Sequence, residues 1–323
     1  MGLPQTFGAP VRSGIPPLEV RLLRNGISES HHRVHAVVCD ARGRVLMRAG
    51  DPQQLSFMRS AHKPFQATVF VASGTADQAQ GGDRGLAIAC ASHAGTAMHA
   101  REAFRVLWGA ELEAEQLQCP VPPGRTSPLE HNCSGKHAAF LATCRRMGWT
   151  TESYLQSDHP LQREVMKRTG ELLGLPAAEL VTARDDCGAP TVQLQLAQMA
   201  LLFAHLGASE QPDLERLSRA MLAHPDLVAG EGRFDTELMR RGHGQVLSKG
   251  GAEGIQCLSR VGEGMGVAIK VEDGASRAKH AVALHLLEQL DWLTPMTLEE
   301  LRQQFLQPAP HLQLEVRGEL RFD

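Results

Sequence analysis

Aromatic side chains are scarce in these 323 residues: they make up 4% of the chain, and Tyr154 is the single tyrosine. A surface that stacks successive nucleobases needs several such rings, so single-stranded nucleic acid is not an expected partner. Long runs of lysine and arginine are missing and the formal net charge is -3, which argues against binding a phosphate backbone. No apolar run approaches the roughly 20 residues of a membrane helix. The N-terminal stretch MGLPQTFGAPVRSGIPPLEV places prolines and glycines where an export signal has its apolar stretch. Among the seven cysteines (Cys39, Cys90, Cys119, Cys133, Cys144, Cys187 and Cys257) there is no Cys-x-x-Cys pair. Their odd number and scattered spacing read as reduced thiols rather than a disulfide framework. A cytoplasmic location is the resulting expectation. What is present is ordinary globular material, 42% apolar and 21% charged, enough for a sizeable core.

After a proline-rich leader, Leu18 to Leu23 and Arg33 to Val38 read as strands joined through Ile27 to His32, and Val45-Leu46-Met47 follows a Gly43 turn. Lys63 to Ser73, Thr96 to Trp108 and the segment opened by His131 to His137 and running to about Met147 read as helices. So do Leu161 to Leu173, Val192 to Leu206 and Leu214 to His224, with Leu180-Val181-Thr182 extended between them. The last third turns to strands at Gln245 to Ser248, Ile255 to Arg260 and Met265 to Val271. A helix from Ala275 to Leu290 follows, and a closing hairpin pairs Leu312 to Val316 with Leu320 to Phe322. This order predicts an α/β (α+β) fold: one antiparallel sheet made from both chain ends, flanked by helices, with a helical middle at about 96–240. The whole of 1–323 is expected to form one domain.

Chemistry is concentrated in short segments where small residues surround a nucleophilic or basic one. In RSAHK, Ser60 and Lys63 are three positions apart, so a helical turn places them on one face. Ser-x-x-Lys is the acylation motif of serine β-lactamases and penicillin-binding proteins, although most such pairs are solvated helix surface. Pro64 disfavours helical geometry at Lys63 and is tolerated only in a first turn, so the pair belongs at a helix entrance. Backbone N–H groups are unpaired there. CASHAG, HNCSGKH, RDDCGAP and LSKGGAEG share the composition. Any one of them alone reads as a tight turn.

The ordered set RSAHKPFQA, CASHAG, HNCSGKH, RDDCGAPT, SKGGAEG and IKVEDGASRA resembles the bacterial L-asparaginase II family of the rhizobial, thermolabile type. The resemblance runs from about Glu19 to Leu290 and implies a fold like that of serine β-lactamases and glutaminases. It implies two serine–lysine pairs, Ser60 with Lys63 and Ser92 with Lys249, with Lys270 a rival for the second lysine. Ser60 is then the expected nucleophile and Lys63 its base, Ser92 and Lys249 relay protons or hold the second step, and the reverse assignment of the serines stays open. The substrate implied is L-asparagine, hydrolysed through an acyl-enzyme. Glutamine is the alternative, and a zinc-binding protein that has lost catalysis is the reading from a different class. Cys133, Lys136 and Cys187 match the family's zinc site, and a homodimer is the family expectation. Arg59 is expected to meet a carboxylate or orient the pocket, and Asp185 to meet the substrate ammonium or orient a neighbour. His93 and His137 flank the motifs. The oxyanion donors would be the Ser60 N–H and backbone near Gly251-Ala252. Two lookalikes fall away: Ser134-Gly135-Lys136-His137 lacks the first glycine and the hydroxyl of a P-loop, and the glycines at 262, 264 and 266 lack a βαβ context.

Overall fold

Asn25 and Gly26, with φ of 49° and 80°, form the two-residue turn in which both central residues take positive φ, the geometry that matches the twist of paired strands. The turn joins β1 (Leu18–Arg24) to β2 (Ile27–Asp40), so the segment Ile27 to His32, expected to be a connection, is instead the first half of a long strand. The computed structural model describes residues 14–78, 81–208 and 210–323; the first 13 residues of the leader lie outside that range. The remaining strands are β3 (Val45–Ala49), β4 (Leu55–Phe57), β5 (Val181–Arg184), β6 (Pro190–Gln195), β7 (Val246–Gly250), β8 (Ile255–Arg260), β9 (Met265–Val271), β10 (Leu312–Arg317) and β11 (Arg321–Phe322).

The main sheet runs in the order β10-β1-β2-β9-β8-β7, with β3 pairing β2 and β11 pairing β3. Every pairing is antiparallel. The protein is therefore a mixed α/β fold on an antiparallel sheet drawn from both chain ends, with helices against it. Two local expectations change. The C-terminal strands do not form a hairpin: β10 closes on β1 and β11 on β3. Val192 to Gln195 belongs to β6 rather than to a helix, which starts at Leu196. The alternating buried positions of that stretch pair with β4 and β5 in a separate three-stranded sheet.

Alternation along the strands sorts the core into two layers. Val34, Ala36 and Val38 of β2, Val246 of β7 and Val267, Ile269 and Val271 of β9 pack against the helices Ser276–Gln289 and Pro295–Phe305. Val37, Leu247, Cys257 and Ala268 point to the opposite face and join the helical middle. Lys249 is two residues beyond Leu247, so the same period aims it into that helical layer. The helix Leu196–Ala208 lies directly on this face. A Cβ at Gly266 would stand 2.1 Å from its Ala200 carbonyl oxygen, so this approach is open only to glycine.

Candidate active site

Three segments converge where the helical layer meets the edge of the main sheet. The first is a strand-to-helix turn. β4 ends at Phe57, Arg59 takes φ 52°, and the chain tightens into the 3-10 turn Arg59–His62 and then the helix Lys63–Gln66 with Pro64 in its first turn. A left-handed arginine costs about 1 kcal/mol or more, and such strain gathers at sites where a side chain must be presented. Arg59 is held in place at both ends. Its backbone N–H donates to Thr191 Oγ1 (3.1 Å), and its guanidinium pairs with Asp185 (2.7 Å) and Asp186 (2.5 Å). The turn delivers Ser60 to the wall of a pocket of about 440 Å³.

The second segment is CASHAG, an irregular stretch that follows the helix Gly82–Ala89. Ser92 N–H donates to Val228 O (2.8 Å) and His93 N–H to Asn132 O (3.2 Å), tying the segment down on both sides. The third is β7, carrying Lys249. Both lysines reach one hydroxyl. Lys63 Nζ lies 2.9 Å from Ser92 Oγ and also donates to the carbonyls of Ala91 (2.6 Å) and Asn132 (3.3 Å). Lys249 Nζ lies 3.0 Å from the same Oγ and 2.9 Å from the Gly250 carbonyl. Among the described residues, Ser60 Oγ has no hydrogen bond of its own; it shares the pocket wall with Ser92. Lys270 does not enter the pocket, because its amine is spent on the carbonyls of Glu253 and Val271.

The two lysines sit in different fields. Lys249 is fully buried, and burial first, then the cations of Lys63 and Lys279, bring its amine down from 10.5 to about 7, against the pull of Asp235. A buried amine of that kind is a base at neutral pH. Asp235 supports the strand from behind. It accepts from Ser248 Oγ (2.7 Å), Gln256 Nε2 (2.8 Å) and Gly250 N–H (2.8 Å). Burial alone would raise its carboxyl, but the Lys249 charge and these donors outweigh it, and the net direction is down.

The other singled-out residues fall into two groups. Gly251 lines the pocket, but its N–H donates to Ile255 O (2.9 Å), which leaves that amide committed within the sheet. Ser60 lies in the first turn of its helical segment, where backbone donors are free of helical partners. Asp185 faces Arg59, not the pocket. His93 is buried against Ser134 Oγ (3.0 Å) and stacked on His99, and burial takes it well below its usual value. Cys133, Lys136 and Cys187 do meet. Cys133 caps the helix Ser134–Met147, Lys136 lies one turn on, and its Nζ is 3.1 Å from Cys187 Sγ. The Cys133 thiol donates to Cys187, and with Lys136 and His137 nearby the Cys187 thiol is driven well below its ordinary value despite burial. Lys136 is correspondingly held above its own. Motif reading passed over Arg233, Asp235, Gln256 and Lys279, all of which line the pocket. None lies inside one of the motifs singled out by sequence, and only the tertiary fold assembles them.

The L-asparaginase II family profile matches residues 20–322, nearly the whole chain. The protein belongs to the L-asparaginase II family. No match is found among curated proteins. Solved structures with a similar course include Mglu in its native form in 4.3 M NaCl, at 13% identity and a TM-score of 0.38, with 80% of this chain and 61% of that one covered. The present chain thus spans less than two thirds of that protein. A β-lactamase from Mycobacterium bovis aligns at 14% identity and a TM-score of 0.37, covering 84% of this chain and 95% of that one.

Proposed function

We propose that the protein hydrolyses the side-chain amide of L-asparagine to L-aspartate and ammonia through a serine acyl-enzyme. The observation carrying this reading is Ser92 Oγ held between two buried lysine amines in the pocket that Ser60 also faces. In the reading, Ser60 attacks the amide carbon and its proton passes through Ser92 Oγ to neutral Lys249. The Ser60 N–H stands in the first turn to meet the developing oxyanion, and Lys63 Nζ donates to Ser92 Oγ. The C–N bond breaks as Lys249 returns the proton to the leaving nitrogen, and ammonia departs. Water then attacks the ester carbon, its proton passing by the same route to Lys249; the bond from that carbon to Ser60 Oγ breaks as the proton returns to Ser60, and aspartate leaves. The strained turn at Arg59 supports Ser60 as the presented hydroxyl. A second reading has Ser92 itself attack, favoured by the fact that both lysines contact it and neither is hydrogen-bonded to Ser60.

Ammonia release by the purified protein tests the activity. Asparagine is expected to be the better substrate; glutamine differs by one methylene, worth about 1–3 kcal/mol in an apolar pocket. Ammonia from neither amide, or a preference for glutamine, contradicts the reading.

Zinc is proposed for the thiol cluster. Among the described residues no three His, Cys, Asp or Glu side chains gather as a metal site, so a third protein donor has to be the Lys136 amine beside Cys133 and Cys187. Cys187 is already driven toward thiolate; Cys133 and Lys136, both raised, would give up their protons on binding the ion, and the two thiolates would then suit zinc. When bound, the ion would supply a fixed positive charge next to Asn132 and hence to the pocket. Metal analysis is expected to find about one zinc per chain, Cys187→Ala to lose it, and chelation to lower the Tm of the wild type but not of the variant. Metal-free protein with a chelator-insensitive Tm contradicts the assignment.

A further inference from the structure

We infer that the pocket recognises the zwitterionic head of an α-amino acid, with Arg233 taking the carboxylate and Gln256 Oε1 the ammonium; this rests on the amide-hydrolase reading above. Arg233 lines the pocket and its Nη1 donates to the carbonyl of Ser92 (3.3 Å), which places the guanidinium beside the serine that both lysines hold. Its backbone is fixed: Arg233 N–H donates to Gly230 O (3.1 Å), Gly230 N–H to Thr236 Oγ1 (3.0 Å), and Arg233 is the N-cap of the helix Phe234–Arg241. The next residue, Phe234, stacks on His280 at 4.4 Å.

What sets Arg233 apart is the state of the acids around it. Glu231 pairs with Arg240, and Glu237 with Arg240 and Arg241. Asp235 is filled by Ser248, Gln256 and Gly250. Among the described residues no carboxylate pairs with Arg233, whereas Arg59, the arginine singled out by its motif, is taken by Asp185 and Asp186. A guanidinium left open on a pocket wall suits a bidentate carboxylate.

Gln256 supplies the opposite pole. It is fully buried, and its Nε2 donates to Asp235 Oδ1 (2.8 Å) and Ser248 Oγ (2.9 Å). The carboxylate accepts only, so it fixes the amide the right way round and leaves Oε1 as the free end. That oxygen is buried with no donor, and Gln256 lines the same pocket. A buried acceptor without a donor costs free energy until a ligand supplies one. One open cation and one open acceptor lining a single pocket are the complement of a zwitterion.

The test compares kcat/KM for asparagine, for β-alaninamide, which lacks only the carboxylate, and for succinamate, which lacks only the ammonium. Wild type is expected to favour asparagine over β-alaninamide by about 100-fold, the worth of a charge-assisted pair. Arg233→Ala is expected to lose about 100-fold on asparagine, mainly through KM, and no more than about 3-fold on β-alaninamide; Arg233→Lys should recover part of the loss. Equal losses on both substrates, or none, overturn the carboxylate assignment. Succinamate turned over as well as asparagine by wild type overturns the ammonium half. If wild type releases no ammonia from asparagine, the hydrolase reading has failed on its own, and calorimetric binding of L-aspartate decides on Arg233. About 100-fold weaker binding to Arg233→Ala upholds it; equal affinity, or no binding to wild type, overturns it.

Discussion

Replacing Lys249 by methionine is expected to lower kcat/KM for asparagine by about 10⁴-fold, near the upper end of what a positioned base contributes, while leaving the protein at least as stable at neutral pH. Both halves follow from one fact: the amine is fully buried among other cations and held down at about 7. Activity requires the neutral form, so wild-type kcat/KM should climb as pH rises through about 7. For stability the direction is the same. The unfolded chain binds the proton up to 10.5 and the folded one only to about 7, so between these values the unfolded state holds more protons, and wild-type stability rises with pH. Below about 7 the full cost of the buried charge is felt, on the order of a few kcal/mol. Methionine fills similar space without that cost, and Lys279 remains beside Asp235. The Tm advantage of Lys249→Met should therefore be largest at pH 6 and shrink toward pH 10. Lys249→Arg, which keeps the charge but cannot become a neutral base, is expected to be as inactive as the methionine variant. An active arginine variant would mean that charge and not proton transfer is what this position supplies.

The two serines separate by covalent chemistry. Ser60→Ala is expected to lose about 10⁴-fold or more in kcat, because the acyl intermediate has no attachment point. Ser92→Ala leaves the attacking hydroxyl in place but removes the hydroxyl that both amines contact, and a loss of about 10²- to 10³-fold is expected. The Ser92 variant should keep a slow burst of ammonia, and the Ser60 variant none. The opposite pattern would make Ser92 the nucleophile and Ser60 its neighbour.

Much of this site was legible before the fold was known. Small residues around Ser60, Ser92, Cys133, Cys187 and Lys249 marked turns where backbone comes close, and the resemblance ordered them. The destination of the amines was not legible. A Ser-x-x-Lys spacing places Lys63 beside Ser60 along a helix, but Pro64 and the left-handed Arg59 reshape the turn, and Lys63 reaches across to Ser92, 29 residues on. Arg59 reads from sequence as a carboxylate partner or an orienting residue, and the carboxylates it meets are Asp185 and Asp186, which come to it through the pairing of β5 with β6, a contact no local pattern announces. Arg233 had no motif around it; its significance lies in the acids that fail to pair with it. In the fold, misreadings occurred where local and distant signals competed. Val192 to Gln195 runs straight into a helix, so its apolar content reads helical until β4 and β5 are there to pair with it. The two C-terminal strands lie near one another in sequence, but β1 and β3 each offered an edge.

A covalent serine intermediate built in this pocket is the step on which the proposed chemistry turns. A diazoketone analogue of asparagine, which alkylates an attacking oxygen as that oxygen meets its carbonyl, tests it most directly by intact mass and peptide mapping. The expected result is one adduct per chain, on Ser60, blocked by aspartate and absent from Lys249→Met. An adduct on Ser92 would move the attack to the second hydroxyl. A fully active enzyme that maps to no serine at all would contradict the account.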